Sequence, residues 1–221
     1  MTAKVLQKIV VRMLFDERFC EAVYADPQAA LGPLKIKQHE YQWLTQSDPR
    51  RWKVDKLRRV RTLSFLLEEY PVSAVEFLRH RPLKSMLAFF ESDHFHSAIM
   101  DDIALALAFG SWLSAESSDR IAVVTLELSI ARRRRRIPHT GANARYCLSA
   151  TTDVIRVPAG TLARYESLKK IVPAASDELI NFLMTLPQQK IVVQPQATSE
   201  LDYLIVDLSK SGGIGDASED L

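Results

Sequence analysis

The stretch from Ile121 to Val157 most constrains the fold, because an alternating pattern there replaces the helical spacing of the preceding sequence. In its first arm, apolar residues recur at every second position. These positions are Val124, Leu126, Leu128 and Ile130, and the residues that alternate with them are Val123, Thr125, Glu127 and Ser129. A period of two is typical of a half-buried strand, whereas an amphipathic helix repeats every 3.6 residues. The pattern therefore predicts a strand.

A turn and a second alternating arm follow. Pro138 and Gly141 favour a turn. The second arm, Asn143 to Val157, alternates through Ala144, Tyr146 and Leu148, then Ile155 and Val157. Together the arms predict an antiparallel hairpin. Because a hairpin is rarely stable alone, Lys190–Gln194 and Leu201–Leu208 are expected to supply further strands.

The sequence before this hairpin predicts a succession of helices. Asp16 is a candidate N-cap, and Asp26-Pro27 combines a capping residue with a proline suited to the first helical turn. Ser47-Asp48-Pro49 predicts the start of the longest helix. A further helix from His94 to Leu113 is apolar nearly all round, which predicts a position at the centre of a bundle.

The chain is therefore expected to belong to the α+β class. We predict an N-terminal helical bundle over residues 1–118 and a small antiparallel sheet with flanking helices over residues 119–208. The tail, residues 209–221, combines glycines with acidic residues and is predicted to be disordered.

Composition excludes several classes of protein. The net charge is only +2, so basicity is local. Cys20 and Cys147 are far apart in sequence and do not have metal-type spacing, which favours free thiols in a reduced compartment. The apolar N-terminal run is interrupted by Lys8 and Arg12, so it is not expected to be a signal peptide. These features predict a soluble, cytoplasmic protein without a membrane span.

One cluster resembles a metal or acid–base site. It consists of Glu91, Asp93, His94, His96, Asp101 and Asp102. On a helix, residues two apart point about 200° away from each other, so His94 and His96 cannot bind one ion from one face. A helix start capped by Asp93 is the expected structure, and we predict neither a metal site nor a catalytic residue in this chain.

Five consecutive arginines, Arg132, Arg133, Arg134, Arg135 and Arg136, permit a nucleic-acid hypothesis. On a strand they would alternate sides, and aromatic residues for base stacking do not interleave with them. Arginine is also frequent at protein interfaces. We therefore assign these five residues to partner binding and keep nucleic-acid binding as the alternative.

Three stretches resemble the MbnC family, the small partner subunit in methanobactin biosynthesis. They are LFDERFCEAVYADPQAAL, SDPRRWKVDKLRRVRTLSFLLEEYPVS and FFESDHFHSAIMDDIALALAFGSWL. The first is also similar to companion proteins of other barrel-type iron enzymes that modify peptide cysteines. The resemblance covers the helical half of the chain and includes no catalytic motif.

The resemblance implies a binding subunit without a cofactor of its own. In that family, iron sits in a larger barrel subunit, which uses dioxygen to convert cysteines of a precursor peptide to oxazolone and thioamide groups. The small subunit holds both the barrel subunit, as a heterodimer, and the leader segment of the ribosomally made precursor, which adds a strand to its sheet. No activity is expected from this chain alone.

An added strand is held by main-chain hydrogen bonds, and its specificity comes from alternate side chains. We therefore predict that residues of the two hairpin arms border the leader. They are Val123, Thr125, Glu127 and Ser129 in the first arm, and Arg145, Cys147 and Ser149 in the second. Glu127 is expected to meet a lysine of a basic leader.

Overall fold

The computed structural model describes residues 3–34, 36–55, 57–79, 81–116, 121–135, 152–173, 176–185, 201–207 and 213–216. The chain forms two compact units. Unit 1 comprises Met1–Phe65 and Lys84–Phe109, and unit 2 comprises Leu66–Leu83 and Gly110–Leu221. Unit 2 thus takes in two segments that the sequence analysis assigned to the bundle, while the predicted boundary at residue 118 falls outside the described residues.

Helices form the described part of unit 1. They are α1 (Ala3–Phe15), α2 (Glu17–Ala25), α3 (Pro27–Leu31), α4 (Gln38–Gln46) and α7 (Asp93–Asp101), with 3-10 turns at Gly32–Leu34, Pro49–Lys53 and Leu83–Glu91. Helices α5 (Arg58–Glu69) and α8 (Leu105–Glu116) begin in unit 1 and end in unit 2. The core of unit 1 combines aliphatic and aromatic residues. It includes Ile9, Met13, Val23, Leu31 and Leu44, and the rings of Phe89, Phe90, Phe95 and Phe109.

Two predicted helix caps are confirmed. The side chain of Asp16 accepts a 3.0 Å hydrogen bond from the N–H of Phe19 at the start of α2. Asp26 accepts a bond of the same length from Ala29, and Pro27 occupies the first turn of α3. Both aspartates satisfy N–H groups that an uncapped helix leaves unpaired.

Two predicted long helices are each divided. The helix expected from Pro49 is a 3-10 turn that ends at Lys53, after which Asp55 accepts the N–H of Leu57 and α5 begins. The helix expected over residues 94–113 is interrupted at Asp102, which adopts a left-handed conformation with φ 57°. Its first part is capped by Ser92 rather than by Asp93.

Unit 2 contains α6 (Pro71–Leu78), α9 (Ile121–Arg134), α10 (Thr161–Lys169) and α11 (Ser176–Thr185). Helix α6 is buried on all sides from Val72 to Leu78. It packs against α9, α10 and α11, and α10 also contacts α9. Helix α6 is therefore the centre of this unit. No helix in the described part of the chain is long and apolar enough to cross a membrane.

A three-stranded antiparallel sheet completes unit 2, and the predicted α+β class is confirmed. Its strands are β1 (Thr152–Pro158), β2 (Leu201–Asp207) and β3 (Gly213–Asp216), in the order β1-β2-β3. Thr152 lies opposite Asp207 and Pro158 opposite Leu201. The predicted strand at residues 201–208 is confirmed, whereas the tail prediction is wrong for Gly213–Asp216, which pairs with β2.

The predicted strand over Ile121–Ile130 is wrong, because these residues form helix α9. Its polar residues Glu127 and Ser129 are buried along with the apolar ones. The alternation of apolar and polar residues in this segment therefore did not correspond to a buried face and an exposed face of a strand. Of the second predicted arm, Ile155 and Val157 lie in β1, whereas residues 143–151 and the predicted strand at 190–194 lie outside the described residues.

Candidate peptide-binding sheet

Strand β1 forms one edge of the sheet. Among the described residues it pairs with β2 on one side, and β2 pairs with β3 on the other. With seven residues, β1 offers a longer edge than the four-residue β3. An edge strand presents main-chain donors and acceptors to which an extended peptide can add.

The two faces of the sheet have different environments. Ile155 and Val157 on β1 and Leu204 on β2 are buried, and β1 packs on helix α9. The other face bears exposed side chains. These are Val154 and Arg156 on β1, and Leu201 and Tyr203 on β2. The buried face thus anchors β1 to the unit, while the exposed face presents apolar and cationic groups.

Arg156 and Tyr203 form the central pair of this exposed face. They are direct cross-strand partners, and the guanidinium carbon of Arg156 lies 6.0 Å from the centre of the Tyr203 ring. At this distance an arginine is attracted to the negative face of an aromatic ring. The pair provides an aromatic surface and a positive charge next to the β1 edge.

A turn fixes the end of β1. Gly160 has a φ of 81°, a conformation that glycine adopts without a steric penalty, and its N–H donates a 3.0 Å hydrogen bond to the side chain of Asp202 on β2. The hydroxyl of Thr161 donates to the carbonyl of Pro158. These bonds join the end of β1 to the start of α10 and to the neighbouring strand.

The first-arm residues predicted to border the leader lie on helix α9 instead. Val123, Glu127 and Ser129 are buried, and Thr125 is half-buried. Buried helical residues cannot border an added strand, so this part of the prediction is wrong. The second-arm residues Arg145, Cys147 and Ser149 lie outside the described residues, and their predicted role stays a prediction.

Glu127 has a structural position that the sequence analysis did not identify. Its carboxylate accepts hydrogen bonds from the N–H groups of Val72 (3.1 Å) and Ser73 (2.8 Å) in the first turn of α6. Burial raises the pKa of Glu127 to about 7, although these hydrogen bonds oppose the increase. The residue caps a neighbouring helix, so it cannot meet a lysine of the leader.

The arginine run also lies on α9, and its members are divided between surface and interior. Arg132 and Arg134 are exposed, whereas Arg133 is buried. Arg135 donates to the carboxylate of Glu69 and, at 2.9 Å, to the carbonyl of Ala131. Arg136 lies outside the described residues. The four described arginines do not form one continuous surface for a partner or for nucleic acid.

The candidate metal or acid–base cluster of the sequence analysis, which includes His94 and His96, lies in unit 1 at and around helix α7. Nε2 of His96 lies 2.8 Å from a carboxylate oxygen of Asp16, the residue that caps α2. Within the described ranges, His, Cys, Asp and Glu do not form a group of three or more that could hold a metal ion. His96 therefore connects α7 to the start of α2.

Comparisons with known proteins do not identify a relative. No protein-family model matches the chain, and neither a curated protein nor a solved structure matches it.

Part of the exposed sheet face could be predicted from the sequence. Alternation around Ile155 and Val157 correctly predicted a strand, and the same alternation places Val154 and Arg156 on its opposite face. Tyr203 could not be paired with Arg156 from sequence, because the register between strands this far apart depends on the intervening helices.

Proposed function

We propose that this chain is a non-catalytic adaptor subunit that binds a barrel-type iron oxygenase and the leader segment of a precursor peptide. In this proposal the larger subunit holds the iron and oxidises peptide cysteines to oxazolone and thioamide groups during methanobactin biosynthesis in the cytoplasm. Support comes from the resemblance of the helical half to the MbnC family and from the sheet of unit 2.

The observation that carries the proposal is the seven-residue edge strand β1. Its buried residues Ile155 and Val157 hold the strand in place, so the edge is preorganised before a peptide arrives. A leader that pairs with this edge would form main-chain hydrogen bonds without requiring the sheet to rearrange.

Specificity in this proposal comes from the exposed face rather than from the arms named in the sequence analysis. Alternate side chains of the added strand would lie beside Val154 and Arg156, with Tyr203 one strand further away. These groups favour apolar and acidic or aromatic side chains on that face of the leader. Backbone pairing alone would not distinguish one peptide from another.

The test uses the leader peptide of a methanobactin precursor, titrated calorimetrically into the full chain. A set of leaders, each N-methylated at one position, removes one peptide N–H at a time and leaves the protein unchanged. A strand added to β1 directs alternate N–H groups towards it, so affinity should fall at every second position. Each lost hydrogen bond should weaken binding by about 2- to 10-fold.

A loss of affinity without a period of two would contradict strand addition. Val154→Asp and Tyr203→Ala should weaken the same leader without changing the circular dichroism spectrum, whereas Met184→Ser, an exposed residue on α11, serves as the matched control. Co-purification of the chain with a co-expressed barrel-type iron protein of methanobactin biosynthesis tests the second half of the proposal.

A further inference from the structure

Unit 1 exposes a group of large apolar side chains around the start of α5. Val54 is 80% exposed, Leu57 60%, Val60 44% and Phe65 69%. Single exposed apolar residues are common on protein surfaces, but neighbouring ones form a patch that marks an interaction site. We call Val54, Leu57, Val60, Arg61 and Phe65 the α5 surface.

Val60, Arg61 and Phe65 are exposed on α5, and Val54 and Leu57 are exposed in the segment just before it. Leu57 precedes Val60 by three positions and Arg61 by four, and Phe65 follows Arg61 by four. Residues three and four apart are neighbours on a helix surface. The buried residue Leu66 follows Leu57 by nine positions, about 180° round the helix, and so lies on the opposite face. The α5 surface therefore covers the exposed side of α5 and the segment before it.

A cavity of about 250 Å³ opens in the same region of unit 1. Its apolar lining is formed by Met13, Leu14, Cys20 and Trp52, and its polar lining by Glu17, Lys53, Asp55 and Arg59. Val54 lies in sequence between two of these lining residues. Sites for drug-sized molecules usually measure about 300–1,000 Å³. This smaller cavity suits one large side chain of a partner protein.

The surroundings of the α5 surface are strongly basic. Residues 50–61 contain seven Lys or Arg and a single acid, Asp55. Several of these cations have acidic partners: Arg58 and Arg61 pair with Asp55, Lys53 with Glu21, and Arg59 with Glu17 and Glu91. Arg50 and Arg51 are exposed at the N-terminal end of the α5 surface and supply its positive charge. A partner must therefore bring negative charge as well as apolar side chains.

We propose that the α5 surface binds an acidic amphipathic helix of a partner protein. A large apolar side chain of that helix fills the cavity beside Trp52, its other apolar residues cover Leu57, Val60 and Phe65, and its carboxylates face Arg50 and Arg51. The inference rests on the proposed adaptor role in one respect, namely that the chain has a second protein to hold. The α5 surface belongs to unit 1, whereas the leader is assigned to the sheet of unit 2.

Two other occupants fit the surface less well. A symmetric contact with a second copy of the chain would bring Arg50 and Arg51 close to the same arginines of the other copy, and this repulsion disfavours it. Nucleic acid would satisfy the cations, but it would leave the aliphatic side chains of Val54, Leu57 and Val60 without apolar partners. Apolar residues at the centre and charges at the rim are typical of protein interfaces.

The experiment measures fluorescence anisotropy of a labelled peptide of about 18 residues, with Leu and Phe on one helical face and Glu along both flanks, added to the full chain. A second peptide has Lys in place of Glu, and a third has Ala in place of Phe. The acidic peptide should bind, and its affinity should fall as salt is raised. The Lys and Ala peptides should each bind at least about tenfold more weakly.

Variants of the protein locate the site. Leu57→Ser should weaken the acidic peptide about tenfold, and Arg50→Glu with Arg51→Glu should weaken it and reduce the salt dependence. Met184→Ser and Lys170→Glu change exposed residues of unit 2 and should have no effect. All of these positions are exposed, so the variants are expected to fold.

Several outcomes would overturn the proposal. One is that the acidic peptide shows no saturable binding, or binds no more tightly than its Lys counterpart. Another is that Met184→Ser weakens it as much as Leu57→Ser. Duplex DNA or RNA that binds through Arg50 and Arg51 irrespective of Leu57, or a dimer that Leu57→Ser dissociates, would assign the surface to a different occupant. If the leader peptide does not bind at the sheet, the proposed function is contradicted, but the binding of the acidic peptide to the α5 surface is unaffected.

Discussion

The carboxylate of Glu127 accepts a 2.8 Å hydrogen bond from the backbone N–H of Ser73, 54 residues earlier in the chain. The N-cap position of α6, Tyr70, has no side-chain cap hydrogen bond of its own. A carboxylate from α9 therefore satisfies the first turn of α6 in the interior of unit 2. An anionic group is stabilised at a helix N-terminus, but burial opposes its charge.

The first prediction concerns the pH dependence that Glu127 produces. Its pKa is about 7 in the folded protein, against an ordinary value of 4.5. Because folding raises the pKa, the contribution of Glu127 to the free energy of unfolding is complete below pH 4.5 and is lost as the pH rises through 7. The difference between the two pKa values corresponds to about 3 kcal/mol.

Urea unfolding of wild type and Glu127→Gln between pH 4.5 and pH 8 isolates this effect. Glutamine cannot ionise, so the free energy of unfolding of the variant lacks the decline that Glu127 causes. The difference in free energy of unfolding between wild type and variant should therefore shrink as the pH rises. All other titrating groups are shared by the two proteins. Parallel stability curves would show that Glu127 does not titrate in this range.

The second prediction has the opposite sign and concerns Asp16. Burial acts to raise the pKa of Asp16, but hydrogen bonds from His96 and from the N–H of Phe19 lower it below its ordinary value. The stability that this carboxylate contributes is therefore present above about pH 4 and is lost as the pH falls through its folded pKa. Asp16→Asn should cost about 1–3 kcal/mol at pH 6 and progressively less towards pH 3.

A matched control is available for Asp16→Asn in the next helix. Asp26 caps α3 through a hydrogen bond of the same length from the N–H three residues later, but it is exposed. Since asparagine is about as good an N-cap as aspartate, Asp26→Asn should change the free energy of unfolding by less than about 0.5 kcal/mol. An equal loss in both variants would mean that capping, rather than the contact with His96, accounts for the role of Asp16.

The third prediction concerns the buried ion pair between α6 and α10. Glu76 is buried, and its carboxylate lies 2.6 Å from Nη2 of Arg164 and 3.6 Å from Nη1 of Arg79. Removing Glu76 deprives both arginines of their shared carboxylate, and removing Arg164 leaves the buried Glu76 with only the more distant of these two arginines, Arg79. Arg164→Leu or Glu76→Leu alone should therefore cost about 3–5 kcal/mol, whereas the double variant should cost less than the sum. Additive losses in guanidinium unfolding would contradict this coupling.

The fourth prediction concerns Gly110, where the chain passes close to Tyr70. A Cβ at position 110 would lie 2.7 Å from Cζ of the buried Tyr70 ring, and real contacts of this kind are not that short. Gly110→Ala should destabilise the protein by about 1–3 kcal/mol. In a Tyr70→Ala background, Gly110→Ala should lower the free energy of unfolding by less, because the ring that the new Cβ would meet is absent.

Gly32→Ala is the control for Gly110→Ala. Gly32 has a helical φ of −53°, and its nearest neighbour is the flexible side chain of Gln28 at 3.3 Å. Alanine should be neutral here or stabilise by up to about 1 kcal/mol. Thermal unfolding of both variants distinguishes a specific clash from a general intolerance of larger residues.

The sequence predicted helix starts well because their causes are local. Asp16, Asp26 and Pro27 act on N–H groups within three or four residues, so the cap and the structure it stabilises lie in the same short segment. The strand β1 was also predictable, since Ile155 and Val157 are buried whereas Val154 and Arg156 are exposed.

Helix α9 could not be predicted by alternation, because it is enclosed on nearly all sides. Val123 and Val124 are both buried although they point in different directions, and the polar Glu127 is buried because α6 supplies its partners. A helix that lacks a solvent-exposed face does not show a 3.6-residue repeat of apolar and polar residues. Burial within unit 2 outweighed the preference of its β-branched residues for strands. Its 14-residue length and the basic residues in its last turn were the available signals of a helix.

The division of the chain between two units has a consequence for its synthesis. Leu66–Leu83 belongs to unit 2 but is made before the second segment of unit 1, Lys84–Phe109. The buried residues of α6 are not covered until α9, α10 and finally α11, which ends at Thr185, have been synthesised. At about 5–20 residues per second, this interval lasts roughly ten seconds. During that time a nascent apolar helix depends on chaperones or on the ribosome surface for protection from aggregation.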